Sequence, residues 1–375
     1  MVVDGRRMPA VLVALALAVL AGCASVPEPT SREFVVPVFP PPPEVPRFYY
    51  ERTVYGSADV RLDDENASLR RLVTGEGRRT DVMDKPYGVA AIRGRVYVTD
   101  TIKRMVHVFD LPKATYETLG TDPPGELRQP FGVDVDAAGN VYVVDGTIRA
   151  VLVYDAAGRY LRRFADGGAL RRPGGIAVEP AGNRAYVVDA GGVDSDRHRV
   201  IAFDARTGAQ LFEFGSRGTG PGEFNLPRDV AISPTGEIYV VDGGNFRVGV
   251  FDAQGRFLRE FGSVGRQTGQ FSRPKEVATD RDGNVYVVDT AFGNFQIFNR
   301  QGQLLLDVGG RSNRDEAARY MLPSGIAVDQ DGRVYMVDQF YRKLEVYRPA
   351  ALAPTAGFAS PLPAAGSAPP KAAAK

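Results

Sequence analysis

A Tyr-Val-x-Asp tetrapeptide, or a close variant, recurs six times in this 375-residue chain, with its Asp at Asp100, Asp145, Asp189, Asp242, Asp289 and Asp338. The intervals are 45, 44, 53, 47 and 49 residues. A proline opens each unit, at Pro86, Pro130, Pro173, Pro227, Pro274 and Pro323, and keeps the same spacing to within a residue. Two independent markers in one register point to a true repeat. A unit of roughly 40–50 residues built from short strands cannot bury its own faces, and stacking such units about an axis gives a β-propeller.

The unit from Pro227 shows the strands. Val230 to Ile232 is a short inner strand, and Pro234-Thr235-Gly236 is a turn. Glu237 to Val241 runs into Asp242, a loop through Asn245-Phe246-Arg247 follows, and Val248 to Phe251 makes a third strand. After the turn at Gly255, Arg256 to Phe261 is the outer strand. The strands are apolar on both faces, as expected of a sheet sandwiched between two neighbours. Only unit three is longer, through an insertion around Gly191 to Arg197 expected to form a projecting loop. The sequence therefore predicts an all-β fold, a six-bladed propeller of four-stranded antiparallel blades over residues 47–349. The last unit lacks an outer strand after Tyr347, so an N-terminal strand must close the ring. Leu69 to Val73 fits best by its spacing to Pro86, with Arg47 to Tyr55 left to add to an edge.

The N-terminus reads as an export signal. Arg6 and Arg7 precede an uncharged apolar run from Ala10 to Ala21, too short to span a bilayer and suited to a secretory signal. The run ends in Leu20-Ala21-Gly22-Cys23, which resembles a bacterial lipoprotein signal and implies lipidation at Cys23, the only Cys of the chain. Ala24 and Ser25 follow with no acidic residue, which by the same resemblance implies the outer membrane of a Gram-negative-type envelope. Residues 1–22 are then a signal peptide and 23–46, with four consecutive prolines, an extended tether. The Ala/Pro-rich stretch 350–375 is expected to be disordered.

The propeller segment resembles the NHL-repeat family over about Pro86 to Arg348. The sharpest match is the run from Phe214-Gly215-Ser216-Arg217-Gly218 through Pro221-Gly222-Glu223-Phe224 to Pro227, followed by Asp242-Gly243-Gly244-Asn245-Phe246-Arg247. The family's arginine is kept at Arg199 and Arg247 and replaced by Met105, Ala150, Asn294 and Lys343. The absence of Trp excludes blades built on a Trp-Asp signature. The family includes protein-binding, RNA-binding and enzymatic members, so the resemblance implies a fold and leaves the activity open. With 46 basic and 45 acidic residues and an export signal, nucleic acid is not an expected partner.

Few residues offer chemistry. The six strand-end Asp residues read as structural turn residues, since Asp at such positions accepts backbone N–H bonds. The tyrosines three residues earlier, Tyr97, Tyr142, Tyr186, Tyr239, Tyr286 and Tyr335, read as inter-blade packing. The histidines are His107, read as a blade-surface residue, and His198 in the insertion. Amidating and streptogramin lyases, related by resemblance, rely on His or metal sites, and two histidines in separate blades cannot make a His-rich zinc set.

The symmetry breaks at one place. Two residues after the opening proline, four units carry Gly (Gly88, Gly132, Gly175, Gly325), whereas units four and five carry Asp229 and Glu276, each preceded by a cation, Arg228 and Lys275. These four charges are expected at one channel mouth, with Tyr87 and Phe131 as its apolar side. Such a cluster suits a divalent cation or an anionic group, or else forms self-neutralising ion pairs. No cofactor is expected beyond that cation. The expected function is a lipid-anchored scaffold binding a protein or glycan at the envelope. Its interface would be the face bearing the loops after the strand-end Asp residues, where Arg171-Arg172, Arg266, Arg273 and Arg311 to Arg314 fall. The alternative is a hydrolase or lyase acting on a small polar substrate at the mouth.

Overall fold

The computed structural model describes residues 35–61, 80–192 and 194–358. Residues 86–119, 130–164, 173–214 and 227–261 form blades 1 to 4, each a four-stranded antiparallel sheet. Blade 5 covers 274–311 and gains a short parallel strand at Arg319–Tyr320. Blade 6 contributes three strands, Pro323–Val328, Val334–Asp338 and Lys343–Pro349. The two sequence markers share a register: every opening Pro lies opposite its blade's strand-end Asp, from Pro86 opposite Asp100 to Pro323 opposite Asp338.

Apolar clusters fill the seams between blades. Tyr97, Val108 and Leu119 of blade 1 meet Val133, Val143 and Tyr154 of blade 2. Tyr186 and Phe214 of blade 3 meet Val240 and Phe251 of blade 4. Each such side chain stabilises the ring by roughly 1.5–3 kcal/mol through burial. Near the axis the innermost strands come too close for side chains. A Cβ on Gly88 would sit 2.7 Å from the Phe131 carbonyl oxygen, and one on Gly132 equally close to that of Gly174.

The ring is closed by Phe48–Val54, which pairs antiparallel with Lys343–Pro349 as the outer strand of blade 6. This corrects the assignment to Leu69–Val73, which lies outside the described residues. Spacing misled because 32 residues run from Val54 to Pro86, against 13 from Phe261 to Pro274. The closing strand is fixed by packing. Phe48 lies against Tyr286 of blade 5, with ring centroids 6.5 Å apart, and Val54 is buried in the seam with blade 1. Glu51 meets the fully buried Arg333 at 2.9 Å.

Both flanking segments join the propeller. Val38–Phe39, at the end of the Pro-rich stretch, adds a fifth strand beside Phe48–Tyr49. Residues 350–358, the head of the Ala/Pro-rich tail, form turns held by Arg333 donating to the Ala356 carbonyl (3.0 Å) and by Phe358 N–H donating to Asp331. The remainder of the tail, the signal segment and Cys23 lie outside the described residues.

Candidate functional site

The six strand-end Asp side chains are fully buried. Asp145 shows what they do. One oxygen accepts the N–H groups of Arg128 and Gln129, which enter the blade, and the other accepts those of Thr147 and Ile148 in the turn that follows, all at 2.6–2.9 Å. Asp289 and Asp338 repeat the pattern. The position where the family's arginine stands lies directly opposite each Asp in the ladder. Arg247 there meets Asp242 at 3.1 Å and also pairs with Glu260, while Lys343 turns instead to Glu345 and Asp315. The mid-strand tyrosines are buried, and three of them reach an Asp in the first turn: Tyr142 to Asp136, Tyr286 to Asp280, Tyr335 to Asp329.

His107 is not at a blade surface. It is fully buried, with Nδ1 2.8 Å from the Tyr116 hydroxyl and Nε2 3.3 Å from Asp100. Strand alternation could not show that both faces of this strand are covered. Although burial alone would raise the Asp100 carboxyl, His107 and the backbone N–H groups of Lys103 and Asp84 hold it well below the usual carboxylate range. His198 is buried as well, spanning the Gly192 carbonyl and the Leu226 N–H. Neither imidazole faces the channel.

A register shift follows the opening proline in all six inner strands, from Pro86/Val89 to Pro323/Ile326. Such bulges re-aim side chains. The residue after Pro turns to the mouth, and the next turns along the channel wall toward the neighbouring blade. Tyr87 and Phe131 therefore touch, with ring centroids 5.0 Å apart. Lys275 of blade 5 reaches over blade 6 to place its ammonium 4.3 Å from the Tyr87 ring centre. Ser324 closes the gap by donating to the Tyr87 carbonyl at 2.7 Å. Burial pushes the Tyr87 phenol up and brings Lys275 down to about 8. Arg228 stays exposed beside them.

The acids lie deeper. Asp229 accepts the Val277 N–H of blade 5 at 3.0 Å, and Glu276 accepts the Ile326 N–H of blade 6 at 3.2 Å. Among the described residues neither Arg228 nor Lys275 makes a direct ion pair with a carboxylate, although Glu276 acts on Lys275 through its charge. A third acid, Asp134, accepts the Val178 N–H of blade 3 at 2.7 Å. The sequence reading missed it. Four residues after the opening proline the other blades carry Ala90, Ala177, Ala231, Ala278 and Ala327, so the same break in symmetry marks Asp134. Burial away from water pushes Asp134 and Asp229 up to about 7, and pushes Glu276 well above the usual range, with Asp229 adding to it.

Asp134, Asp229 and Glu276 line an axial well of about 220 Å³. Tyr87, Phe131, Arg228 and Lys275 do not line it; its walls continue past the inner strands to Pro180 and Gln330, at the face bearing the first turns. Tyr87, Phe131 and Lys275 thus pack together at the mouth the sequence singled out, and the well extends from the inner strands toward the turn face. Among the described residues no group of three His, Cys, Asp or Glu side chains could hold a metal ion.

The family model for the NHL repeat matches residues 224–251, the first three strands of blade 4 and the residues that enter them. The chain carries NHL repeats on a six-bladed β-propeller. NHL repeat-containing protein 3 of Homo sapiens is 36% identical over 80 residues, which span 21% of this chain and 22% of that protein. The mouse protein of the same name is 35% identical over the same length. Among solved structures, a gluconolactonase from Xanthomonas campestris superposes with a TM-score of 0.54 at 18% identity, over 80% of this chain and 98% of that chain. A streptogramin B lyase gives 0.53 at 13% identity, covering 81% and 98%. At these identities the likeness is one of fold.

Proposed function

We propose that this NHL propeller is an exported, lipid-anchored scaffold that holds a protruding group of a protein or glycan partner in its axial well. The observation that carries the reading is the well's asymmetry: three carboxyl groups on blades 2, 4 and 5 in a wall made mostly of Gly, Ala and β-branched residues. Scaffolding needs symmetry, and these side chains break it. A volume of about 220 Å³ is below the ~300–1,000 Å³ of common small-molecule sites. It suits one sugar ring or one side chain, presented by something larger that rests on the surrounding turns. Carboxyl groups accept hydrogen bonds from sugar hydroxyls or from an amine, and when protonated they also donate. Lipidation at Cys23 is read from the Leu-Ala-Gly-Cys signal and outer-membrane residence from the absence of an acidic residue at Ala24 and Ser25, and the partner is then an envelope component. Affinity capture of solubilised envelope material on the wild-type protein, repeated with Asp134→Asn/Asp229→Asn, tests this. Equal recovery by both proteins removes the well from recognition.

A second reading has its own support. Carboxyl groups raised to about 7 are poised for general acid–base work, which suits a hydrolase or lyase acting on a small polar substrate. Solved propellers of similar fold include the gluconolactonase and the streptogramin B lyase. A divalent cation in this reading would rest on Asp229 and Glu276. Lactone and ester turnover that falls as pH rises through 7, and disappears in Asp229→Asn, would favour catalysis over binding.

A further inference from the structure

Five cations stand around the loop-face mouth with no acid among them. The residues just before and just after the six opening prolines include Lys85, Arg172, Arg228, Arg273 and Lys275, and none of these positions is acidic. The backbones that carry three of the cations are fixed. The residue before the proline donates its N–H to the strand-end Asp, and its carbonyl accepts the N–H just past that Asp. Lys85 is held in this way between Asp100 and Thr101, Arg172 between Asp189 and Ala190, and Arg273 between Asp289 and Thr290, all at 2.8–3.2 Å. Arg228 lies along Gly243, where an added Cβ would come 2.9 Å from its Cγ. Among the described residues none of the five makes an ion pair.

Like charges held together without counter-ions repel, and a bound anion relieves the repulsion. Arg228 and Lys85 both act by charge on the Lys275 ammonium, and Arg228 and Arg172 on the Tyr87 phenol. Glu276 and Asp338 act on Lys275 in the opposite sense. Of these two, Asp338 is buried under four backbone N–H donors, and burial favours the neutral form of Glu276. The Tyr87 hydroxyl has no hydrogen-bond partner among the described residues, so a neutral donor stands unused beside the cations.

We propose that the loop-face mouth is a second binding site, for a phosphate-class oxyanion met by Lys85, Arg172, Arg228 and Lys275 from four blades, with the Tyr87 hydroxyl as a further donor. A planar carboxylate has one charge and two oxygens, enough for a single guanidinium fork. A tetrahedral dianion presents oxygens in several directions, so cations that converge from different blades each find one. The site lies at the end of the channel opposite the axial well and does not rest on the reading of that well.

Calorimetric titration of inorganic phosphate into the full-length protein, at an ionic strength held constant with chloride, tests the site. The wild type should bind saturably. Arg172→Ala/Arg228→Ala removes two exposed side chains, so it should keep the melting temperature and weaken phosphate binding by ~10-fold or more. Tyr87→Phe keeps the ring beneath Lys275 and should weaken binding by ~3-fold or more through the lost hydroxyl. The charge control Arg159→Ala/Arg256→Ala, in the second turns of blades 2 and 4, should bind as the wild type does. No saturable binding by the wild type, undiminished binding by Arg172→Ala/Arg228→Ala, or an equal loss in the two arginine variants overturns the site. Wild-type affinity in Tyr87→Phe overturns the part given to its hydroxyl. Glucose 6-phosphate, titrated alongside, separates the sources: tighter binding than inorganic phosphate supports a phosphomonoester borne by a larger molecule, and weaker binding supports the free ion.

Discussion

The ammonium of Lys275 lies 4.3 Å from the centre of the Tyr87 ring, joining blade 5 to blade 1 over the channel mouth with blade 6 between them. Burial lowers the Lys275 pKa to about 8, with Arg228 acting in the same direction against Glu276. The rate of Lys275 acylation by acetic anhydride should therefore rise with a midpoint near pH 8, measured against exposed Lys113 as the internal reference. Peptide-resolved competitive labelling checks this. Parallel profiles for the two would mean that Lys275 is solvated and the mouth open.

The carboxylates of the well make stability depend on pH in a stated direction. A carboxyl raised on folding keeps its proton in the folded chain where the unfolded chain has lost it, so stability falls as pH rises from ~4 to ~7 and levels off above. Asp134 and Asp229, both at about 7, should together cost on the order of 1–4 kcal/mol at pH 8 relative to pH 4.5 after allowance for their coupling. Urea midpoints at the two pH values should lie closer together in Asp134→Asn/Asp229→Asn than in the wild type. An undiminished gap would assign the dependence to other groups.

Asp242 ties the loops of its blade together. Its carboxylate accepts the Asn225 N–H at 2.6 Å, the Asn245 amide at 2.7 Å and the Arg247 guanidinium at 3.1 Å. Asp242→Ala strands all three donors and should cost roughly 2–4 kcal/mol, read as a lower melting temperature with partner binding largely intact. Unchanged stability with binding abolished would reverse the assignment.

Closure depends on a buried ion pair. Arg333 is fully buried and meets Glu51 of the closing strand and Asp331 of its own blade, each at 2.9 Å. Glu51→Ala leaves half of that compensation and should destabilise by about 3 kcal/mol, whereas Glu51→Gln should recover part of the loss. Denaturation of the two variants side by side separates the lost charge from a lost strand. No loss in either would show that the Glu51–Arg333 pair does not help to hold the closing strand.

Much of this was legible in the sequence because the fold repeats. Pro86 to Pro323 and Asp100 to Asp338 mark the same two ladder positions in all six blades, and repetition separates them from noise. Repetition also exposed Asp229 and Glu276, as departures from Gly. Asp134 carries the same signal two positions further on, against five alanines, but lies between Val133 and Val135 with no neighbouring cation to mark it. Leu69–Val73 was chosen by spacing, but spacing constrains a linker only when nothing is inserted in it. His107 was judged by alternation, which cannot show that a neighbouring strand's Tyr116 covers the ring. No sequence pattern showed that Lys275 would reach Tyr87. That contact joins positions 188 residues apart and exists only because the ring closes.

The account turns on recognition inside the axial well. The direct measurement is the affinity of a captured envelope ligand for the wild type, for Asp134→Asn/Asp229→Asn/Glu276→Gln, and for Arg172→Ala/Arg228→Ala on the loop face, titrated at one pH and salt. Losing hydrogen bonds made to charged groups in a small buried site should weaken binding by at least about tenfold in the well variant and leave the loop-face variant near wild type. The opposite ordering, with the well variant binding normally and the loop-face variant failing, would contradict it.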